Sequence, residues 1–518
     1  MKANPLLQSL AASLLGLLLG TQASADSFQL TKGGLQLMDS QGRVLDRLDL
    51  RAKRWDQRQG RDGTDPVAVV LDADRGLPVL VRAQAGRLRA VPLAEPTFAI
   101  EELCLHRDAQ GLLHLFLLGD EGLSEQWLVG DASARPLRRL ATAPRPEGCK
   151  VDDARGLLQF NEPGVGTWAV STDAEGKPER RLIKPGATAA LPKRLAWPVL
   201  QASAQTTPVA RQGDAADDPA IWVHPQTPSR SLVLGTNKKQ GLLVYDLSGA
   251  QRQLLEVGRI NNVDLRQGIR AGDGVFDLAV ATQRDEHALV LFGIDGEGQV
   301  SELARLPTAL HDIYGLCVRR TRDGQLDAFP NDKDGRVQQL RIERIDGQWR
   351  ARLLREFKLA SQPEGCVVDE REERLFVGEE KRGIWALDAR EDQPARPQLI
   401  MPVGKALVAD VEGLAIYQGR AGGASYLVVS SQGNDSFLVL DAKPPYTLRG
   451  GFRIGINAAL GIDGVSETDG LEVTSAALGG LYGQGMLVVQ DGHKRLPDGP
   501  QNFKLLPWAD IARALNLP

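Results

Sequence analysis

The chain has 518 residues, of which 42% are hydrophobic and 25% charged, with a net charge of −4. This length provides for two or three domains with a sizeable core. The charge balance argues against nucleic acid as a partner, because a surface that binds nucleic acid would be basic. The 55 glycines favour an all-β architecture with many tight turns over one built of long helices.

The N-terminus has the features of a secretory signal peptide, which we predict over residues 1–25. Lys2 supplies the positive charge, Leu10 to Leu19 form a short apolar core, and Ala23-Ser24-Ala25 is a small-residue cleavage site. A membrane anchor needs about 20 apolar residues, and this core is shorter. The sequence therefore predicts a secreted or periplasmic protein that leaves the membrane once the signal is removed.

Short motifs occur twice along the chain, in the same order. Pro-Glu-Gly-Cys at 146–149 recurs at 363–366, and Gly-Thr-Trp-Ala-Val at 166–170 recurs as Gly-Ile-Trp-Ala-Leu at 383–387. We interpret these as a duplicated module, with an incomplete copy over residues 26–190 and a longer copy over residues 197–518. The first copy has no counterpart of the segment around Asp217, so we expect it to lack activity of its own.

Export permits disulfides. The four cysteines, Cys104, Cys149, Cys317 and Cys366, allow three pairings. The repeat favours Cys104 with Cys149 and Cys317 with Cys366, and four free thiols are the alternative.

Both copies contain short apolar or alternating segments, most of them separated by Gly, Asp or Asn turns. Predicted strands in the second copy include Gly241 to Asp246, Ala288 to Ile294 and Tyr426 to Ser430. After the signal core, the only convincing helix is Trp508 to Leu515. Such strands favour a sandwich or a β-propeller, and a repeat of several four-strand units favours the propeller.

Acidic residues recur in the second copy about once per predicted propeller blade. They are Asp217, Asp218, Asp334, Glu364, Glu379, Glu380, Glu412, Asp463 and Asp469. Each one alone is more simply explained as a solvated carboxylate in a turn. Equivalent loops of a propeller converge on one mouth, however, and clustered carboxylates repel one another unless cations neutralise them. Oxygen ligands without His or Cys suit several Ca²⁺ ions better than zinc.

Four basic residues lie between or after the predicted strands of the same copy: Lys238, Lys239, Arg284 and Lys333. They require anionic partners. A substrate rich in phosphate would bridge the metal ions and also contact these side chains.

Six motifs of the second copy, taken in order, resemble those of the β-propeller phytases. They are Asp-Asp-Pro-Ala-Ile-Trp (217–222), Thr-Asn-Lys-Lys-Gln-Gly-Leu (236–242), Pro-Glu-Gly-Cys (363–366), Glu-Gly-Leu-Ala-Ile-Tyr (412–417), Ser-Ser-Gln-Gly-Asn (430–434) and Glu-Thr-Asp-Gly-Leu-Glu-Val (467–473). The resemblance implies a six-bladed β-propeller, preceded here by an incomplete propeller-like β domain. It also implies a 3-phytase type of enzyme that uses calcium to release phosphate from phytate, myo-inositol hexakisphosphate, either free or as its calcium complex.

The resemblance also implies roles for individual residues. It makes metal ligands of Asp217, Asp218, Glu364, Glu379, Glu412, Asp463 and Asp469, and it places Asp334, where the family often has Glu, and Glu380 with them. It assigns Tyr314 to catalysis, Lys238, Lys239, Arg284 and Lys333 to catalysis and phosphate binding, and Gln432 to substrate binding. We expect a water held between calcium ions to attack phosphorus in line, without a covalent phospho-enzyme.

Two other functions are compatible with a calcium-binding propeller. One is an exported scaffold without catalysis, and the other is a calcium-dependent lactonase-type propeller. The clustered lysines argue against the lactonase, whose substrate does not need them. We expect a monomer.

Overall fold

The computed structural model describes residues 26–60, 66–186, 195–419 and 423–518. The predicted signal peptide and residues 187–194, where the first copy was predicted to end, lie outside the described residues. The chain divides into two compact units, Met1–Ala94 with Ile100–Ala187, and Glu95–Ala99 with Thr188–Pro518. We call them the first unit and the second unit.

The first unit contains, in its described residues, one three-stranded and three four-stranded sheets, each made of consecutive strands. The first comprises β1 (Ser27–Thr31), β2 (Gly34–Met38) and β3 (Val44–Leu48). The second comprises β4 (Ala52–Arg58), β5 (Val67–Asp72), β6 (Leu77–Gln84) and β7 (Arg87–Pro92). The third comprises β8 (Ile100–Arg107), β9 (Leu113–Gly119), β10 (Leu123–Val129) and β11 (Ala134–Ala141). The fourth comprises β12 (Glu147–Asp152), β13 (Leu157–Glu162), β14 (Gly166–Ser171) and β15 (Arg181–Pro185).

The second unit begins with the short strands β16 (Val199–Gln201) and β17 (Ala204–Gln205), and four four-stranded sheets follow. The first comprises β18 (Ala216–Trp222), β19 (Leu232–Asn237), β20 (Gly241–Asp246) and β21 (Gln251–Leu255). The second comprises β22 (Ile260–Ala271), β23 (Gly274–Gln283), β24 (Ala288–Ile294) and β25 (Val300–Pro307). The third comprises β26 (Val318–Arg320), β27 (Leu326–Ala328), β28 (Arg336–Ile345) and β29 (Gln348–Lys358). The fourth comprises β30 (Pro363–Asp369), β31 (Arg374–Glu379), β32 (Gly383–Asp388) and β33 (Gln398–Pro402).

The last two sheets of the second unit incorporate the two short entering strands. The fifth comprises β34 (Val411–Tyr417), β35 (Tyr426–Ser431), β36 (Ser436–Asp441) and β37 (Leu448–Gly455), with β16 parallel to β37. The sixth comprises β38 (Leu471–Thr474), β39 (Met486–Asp491) and β40 (Asn502–Pro507), with β17 antiparallel to β40. The chain ends in helix α1 (Trp508–Ala514), which confirms the predicted C-terminal helix to within one residue. No helix in the described part of the chain is both long enough and apolar enough to span a bilayer.

The first strands of the six sheets form a closed cycle. β18 contacts β22, β22 contacts β26, and the series continues through β30, β34 and β38 back to β18. Four-stranded sheets arranged radially around such a ring form a six-bladed β-propeller. The predicted fold of the longer copy is therefore confirmed.

Apolar side chains between neighbouring sheets form the core. The run from Leu289 to Phe292 in β24 and the run from Leu427 to Val429 in β35 are fully buried. Strands covered on both faces contain continuous apolar runs rather than alternating patterns. These runs, rich in Val, Leu and Phe, are the segments in which the sequence predicted strands most clearly.

The two units carry the same ionic network, which supports the duplication. In the second unit, Arg266 donates to Asp264 at 2.7 Å and to Glu370 at 2.5 Å. The other oxygen of Asp264 accepts the backbone N–H of Val318 at 2.8 Å. Asp264 and Arg266 lie on the first strand β22, so the network links neighbouring sheets beside the central channel.

The first unit repeats this network residue for residue. Arg58 donates to Asp56 at 2.9 Å and to Asp153 at 2.9 Å, and Asp56 accepts the N–H of Leu105 at 2.8 Å. Tertiary contacts as specific as these are not expected from chance similarity of short motifs.

Both favoured disulfides are present, and they occupy equivalent positions in the two units. Cys104–Cys149 connects β8 to β12, and Cys317–Cys366 connects the residue before β26 to β30. The two bridges account for all four cysteines of the sequence.

The first sheet of the first unit lacks one strand. The motif Lys-Gly-Gly-Leu at 32–35 leads into β2 as Lys-Gln-Gly-Leu at 239–242 leads into β20. By this correspondence β1, β2 and β3 match β19, β20 and β21, and the described residues contain no counterpart of β18. The missing strand is the one that carries Asp217 and Asp218.

Candidate metal and phosphate site

Most of the predicted acidic residues lie at the starts of the first strands. Asp217 and Asp218 lie at the start of β18, Glu364 at the start of β30 and Glu412 at the start of β34. Asp469 lies two residues before β38. The starts of the first strands share one mouth of a propeller. The glutamates that sequence patterns assign to turns therefore lie in strands, where their direction is fixed.

Backbone irregularities accompany these residues. The register between first and second strand shifts across Asp217–Asp218 in β18, across Glu364–Gly365 in β30 and across Glu412–Gly413 in β34. A β-bulge leaves residues unpaired and redirects their side chains. At the start of β18, β30 and β34, the acidic side chains therefore depart from the regular alternation of side chains between the two faces of a strand.

Glycines after the glutamates allow the first strands to approach one another closely. A Cβ on Gly365 would lie 2.3 Å from the carbonyl oxygen of Glu412, and a Cβ on Gly413 would lie 2.6 Å from the backbone N of Leu471. Any other residue would separate these backbones. The glycine that follows Glu364 and the glycine that follows Glu412 therefore allow the two carboxylates to lie close together.

Three glutamates form the centre of the site. One carboxylate oxygen each of Glu364, Glu380 and Glu412 lies within 4.8 Å of the others, and all three residues are buried. Burial and the neighbouring Glu364 raise the pKa of Glu380 to about 7 and raise the pKa of Glu412 well above its usual value. Oxygen Oε2 of Glu412 accepts no hydrogen bond from the described residues.

Lys238 and the three aspartates around it form the adjoining part of the site. Lys238 Nζ lies 3.2 Å from Asp217 Oδ2, 2.8 Å from Asp469 Oδ2 and 2.6 Å from Asp214 Oδ1. Gln432 Nε2 donates to the other oxygen of Asp469 at 2.8 Å. Burial raises the pKa of Asp217 and of Asp469 to about 7 although Lys238 acts in the opposite direction.

Asp218 is held by the backbone. Its Oδ2 accepts the N–H of Val263 at 3.1 Å, and its own N–H donates to Thr236 Oγ1 at 2.9 Å. Burial, together with the charge of Asp217, raises its pKa well above the usual value.

Tyr314 lies between two cations. Lys333 Nζ lies 4.0 Å from the centroid of its ring, and Arg284 Cζ lies 5.5 Å from it. Burial and the carboxylates of Glu364 and Glu412 raise the pKa of the Tyr314 hydroxyl well above its usual value, which keeps the hydroxyl protonated. Burial and the nearby Arg284 lower the pKa of Lys333. Beside the glutamate cluster, Arg284 and Lys333 thus provide positive charge, and the Tyr314 hydroxyl provides a neutral hydrogen-bond donor.

Four predicted residues have other partners. Lys239 Nζ donates to Glu95 Oε1 at 2.8 Å and to the carbonyl of Gln212 at 2.5 Å, so its charge is already compensated within the protein. Asp334 is 44% exposed and pairs with Arg336 and Lys358 at a surface turn. Both side chains therefore form ion pairs within the protein, and the substrate contact predicted for Lys239 and the metal contact predicted for Asp334 stay predictions.

Glu379 and Asp463 are engaged by neighbouring side chains. Glu379 accepts hydrogen bonds from Ser361 Oγ at 2.6 Å and from Trp385 Nε1 at 2.8 Å. Its counterpart Glu162 accepts the same tryptophan contact in the first unit, from Trp168 at 2.7 Å. The same tryptophan contact thus occurs in both units, and the metal contact predicted for Glu379 stays a prediction. Asp463 Oδ1 lies 2.9 Å from the ammonium of Lys504, and its predicted metal contact stays a prediction.

The structure also adds residues that sequence patterns did not single out. Asn261 at the start of β22 donates to Glu364 Oε1 at 2.8 Å, and Asp214 pairs with Lys238. The negative charge of Asp410, two residues before Glu412, contributes to raising the pKa of Glu380. Asn261-Asn262 lies at the start of the first strand β22, as Asp217-Asp218 lies at the start of β18. This shared position in the sequence pattern could have identified Asn261 as a site residue.

Comparisons with known proteins agree with this geometry. A family model described as Phytase matches residues 188–517. The 3-phytase of Bacillus subtilis (strain 168) is 37% identical over 329 residues, which cover 61% of this chain and 85% of that protein.

The solved structures that the chain resembles are only distantly related to it in sequence. A functionally unknown protein from Desulfotomaculum acetoxidans DSM 771 is 10% identical with a TM-score of 0.32, covering 65% of this chain and 90% of that one. The β-propeller domain of Cps50 (Swd1) from Myceliophteria thermophila is 10% identical with a TM-score of 0.35, covering 71% and 97%.

Proposed function

The chain belongs to the β-propeller phytase family and is a phytase hydrolase, and we propose that its second unit releases phosphate from inositol hexakisphosphate with the help of calcium. The observation that carries this proposal is the convergence of buried carboxylates and of cations at one mouth of the ring. The carboxylates can bind metal ions, and the cationic side chains can bind a phosphate ester that the metal ions bridge.

The carboxylates fit hard cations. Asp217 Oδ1 and Glu412 Oε2 are buried and accept no hydrogen bond from the described residues. Buried anionic oxygens are costly unless a cation or donor meets them. The donors are all oxygen atoms, with no His or Cys among them, and this set suits Ca²⁺. We therefore assign Glu364, Glu380 and Glu412 to one ion and Asp217, Asp218 and Asp469 to further binding.

Calcium held there would supply positive charge that offsets the carboxylates and would acidify a water ligand for attack on phosphorus. The residues of the chain perform the remaining tasks. Lys238 and Gln432 fix the orientation of the Asp469 carboxylate by donating to its two oxygens. Asn261 fixes Glu364 in the same way.

The cationic side of the site binds and orients the phosphate group. Arg284 and Lys333 offer N–H donors whose charge neutralises the phosphoryl oxygens as the P–O bond breaks. Their positions are fixed by the ring of Tyr314, which both of them contact. The protonated Tyr314 hydroxyl can donate a hydrogen bond to a phosphate oxygen or to the departing inositol oxygen.

We also propose that the protein works outside the cytoplasm. The two disulfides support this proposal, because such bonds persist in oxidising compartments.

A metal titration on the full-length protein tests the function. The protein is stripped with a chelator, and phosphate release from phytate is measured as Ca²⁺ or Mg²⁺ is added. We expect release to disappear on stripping and to return with Ca²⁺ but only weakly with Mg²⁺, because Mg²⁺ demands octahedral geometry. Full release by the stripped protein would refute the role of calcium, and no release under any condition would refute the activity.

A pair of variants localises the effect. Asp217→Asn removes a buried ligand and should abolish release. Asp273→Asn changes a fully exposed aspartate in the turn between β22 and β23 and should leave release unchanged.

A further inference from the structure

Lys239 and Arg211 hold a single carboxylate between them. Lys239 Nζ lies 2.8 Å from Glu95 Oε1, and Arg211 Nε lies 3.1 Å from Glu95 Oε2. The side chains of Lys239 and Glu95 are only 11% and 17% exposed. An ammonium and a guanidinium that grip separate oxygens of one anion are a common arrangement for binding carboxylate or phosphate. The second unit thus has an anion site whose occupant is a residue of the same chain.

Glu95 lies in a short segment that is separated in sequence from the rest of the second unit. Residues Glu95–Ala99 belong to the second unit, although in sequence they lie between β7 and β8 of the first unit. The segment packs closely against Gly213, whose φ is +64° and where a Cβ would lie 3.2 Å from the carbonyl oxygen of Phe98. A ligand fixed beside its site by a tether has a high effective concentration.

The anion site is linked to the candidate catalytic site through residues 211–214. The carbonyl of Gln212 accepts from Lys239 at 2.5 Å, and Asp214 pairs with Lys238 at 2.6 Å. Lys238 in turn contacts Asp217 and Asp469. Inositol hexakisphosphate carries a phosphate on every ring carbon, so a molecule with one phosphate at the metal site presents others to the surrounding surface.

We propose that Glu95 is a tethered competitor of the substrate. It occupies the Lys239–Arg211 anion site, which would otherwise receive a second phosphate group, and it thereby weakens the binding of highly phosphorylated substrates. This inference rests on the proposed function, because it needs a phosphate ester at the neighbouring site. A substrate with many phosphates displaces Glu95 more readily than one with few, so the contact sets a charge threshold for tight binding.

Binding of a polyanion without a scissile phosphate tests the competition directly. We would measure the Kd of myo-inositol hexasulfate by calorimetry for the wild-type protein and for Glu95→Gln, which keeps the size of the side chain and removes its charge. The expected result is a Kd about three- to tenfold lower in the variant, and a KM for phytate lower by a similar factor with kcat nearly unchanged. Glu297→Gln, which breaks a single exposed pair with Arg230, is the matched control and should change neither value.

A double variant assigns the effect to the anion site. In a Lys239→Met background, Glu95→Gln should lower the Kd by a clearly smaller factor, because only Arg211 is then released. An unchanged or higher Kd in Glu95→Gln alone, or an equal gain in the Lys239→Met background, would overturn the proposal. Should Glu95→Gln fail to fold, Glu95→Asp withdraws the carboxylate from the two cations and carries the same expectation. Since the sulfate ester is not hydrolysed, this readout is informative even if phytate turnover is absent.

Discussion

The ammonium of Lys504 lies 2.9 Å from Asp463 Oδ1, and neither side chain is appreciably exposed. The same ammonium lies 2.7 Å from Asp491 Oδ2 and 2.9 Å from Asn502 Oδ1. One buried cation therefore joins the loop before β38 to β39 and β40, which together complete the last sheet of the ring.

Replacing this lysine should destabilise the second unit strongly. Lys504→Met leaves two buried carboxylates without their cation, and breaking a buried pair in this way costs about 3–5 kcal/mol. Urea denaturation of the variant and the wild-type protein measures the loss. Lys443→Met, which removes an exposed pair with Glu372, should leave the midpoint nearly unchanged. Equal midpoints for all three proteins would contradict the assignment.

Replacing Glu412 should separate activity from stability. Glu412→Gln removes a carboxylate whose Oε2 accepts no hydrogen bond from the described residues, and it also relieves repulsion from Glu364. We expect phosphate release to fall by about a hundredfold or more, in line with the loss of a transition-state interaction. The melting temperature of the calcium-free protein should stay the same or rise. A loss of activity accompanied by a lower melting temperature would indicate a structural role instead.

The calcium-free protein should lose stability as pH rises from about 4 to about 7. The pKa values of Asp217, Glu380 and Asp469 are each raised to about 7 in the folded state, against about 4 for unfolded carboxyl groups. Between these values the folded state binds more protons than the unfolded state, so unfolding becomes easier as pH rises.

Denaturation midpoints in chelator, measured at several pH values, show this trend directly. Asp217→Asn should reduce the slope, and saturating Ca²⁺ should flatten it because the metal stabilises the ionised form. A midpoint that rises with pH over this range in chelator would contradict the prediction.

Opening the Cys317–Cys366 disulfide should lower the stability of the second unit. The bridge closes a separation of 49 residues, and loop-closure entropy for such a length corresponds to about 4 kcal/mol. The Cys317→Ala/Cys366→Ala double variant should therefore melt at a lower temperature than the parent. The corresponding change at Cys104 and Cys149 is the matched comparison, and a second unit that is insensitive to the loss of its own bridge would contradict the expectation.

Strands buried on both faces were predictable from the sequence. The predicted strands Gly241 to Asp246 and Ala288 to Ile294 coincide with β20 and β24, because apolar runs between glycine turns carry a clear signal. Outer strands were harder to predict. β29 (Gln348–Lys358) is mostly charged and polar and largely half-exposed or exposed. Pairing with β28 fixes it, and the sequence pattern of one strand does not contain that information.

The identities of the clustered acids were predictable, but their partners were not. Glu364 and Glu412 were recognised from their motifs, but β-bulges set where their side chains point. The neighbours Lys238 and Lys239 show the same limit, since one contacts Asp469 and the other contacts Glu95. Which of two adjacent lysines reaches a site depends on the geometry of the turn after β19.

The pairing of β17 with β40 has a consequence for how the ring assembles. Ser203, just before β17, donates to the carbonyl of Leu505, 302 residues away. Closing so long a loop costs little more free energy than closing one half as long, about 0.6 kcal/mol, but contacts between distant segments slow folding. A chain emerging from the ribosome cannot close the ring until its final strand has been synthesised. Until the final strand is made, the sheets form an open arc with two exposed edge strands. During synthesis the incomplete ring is therefore susceptible to aggregation and proteolysis.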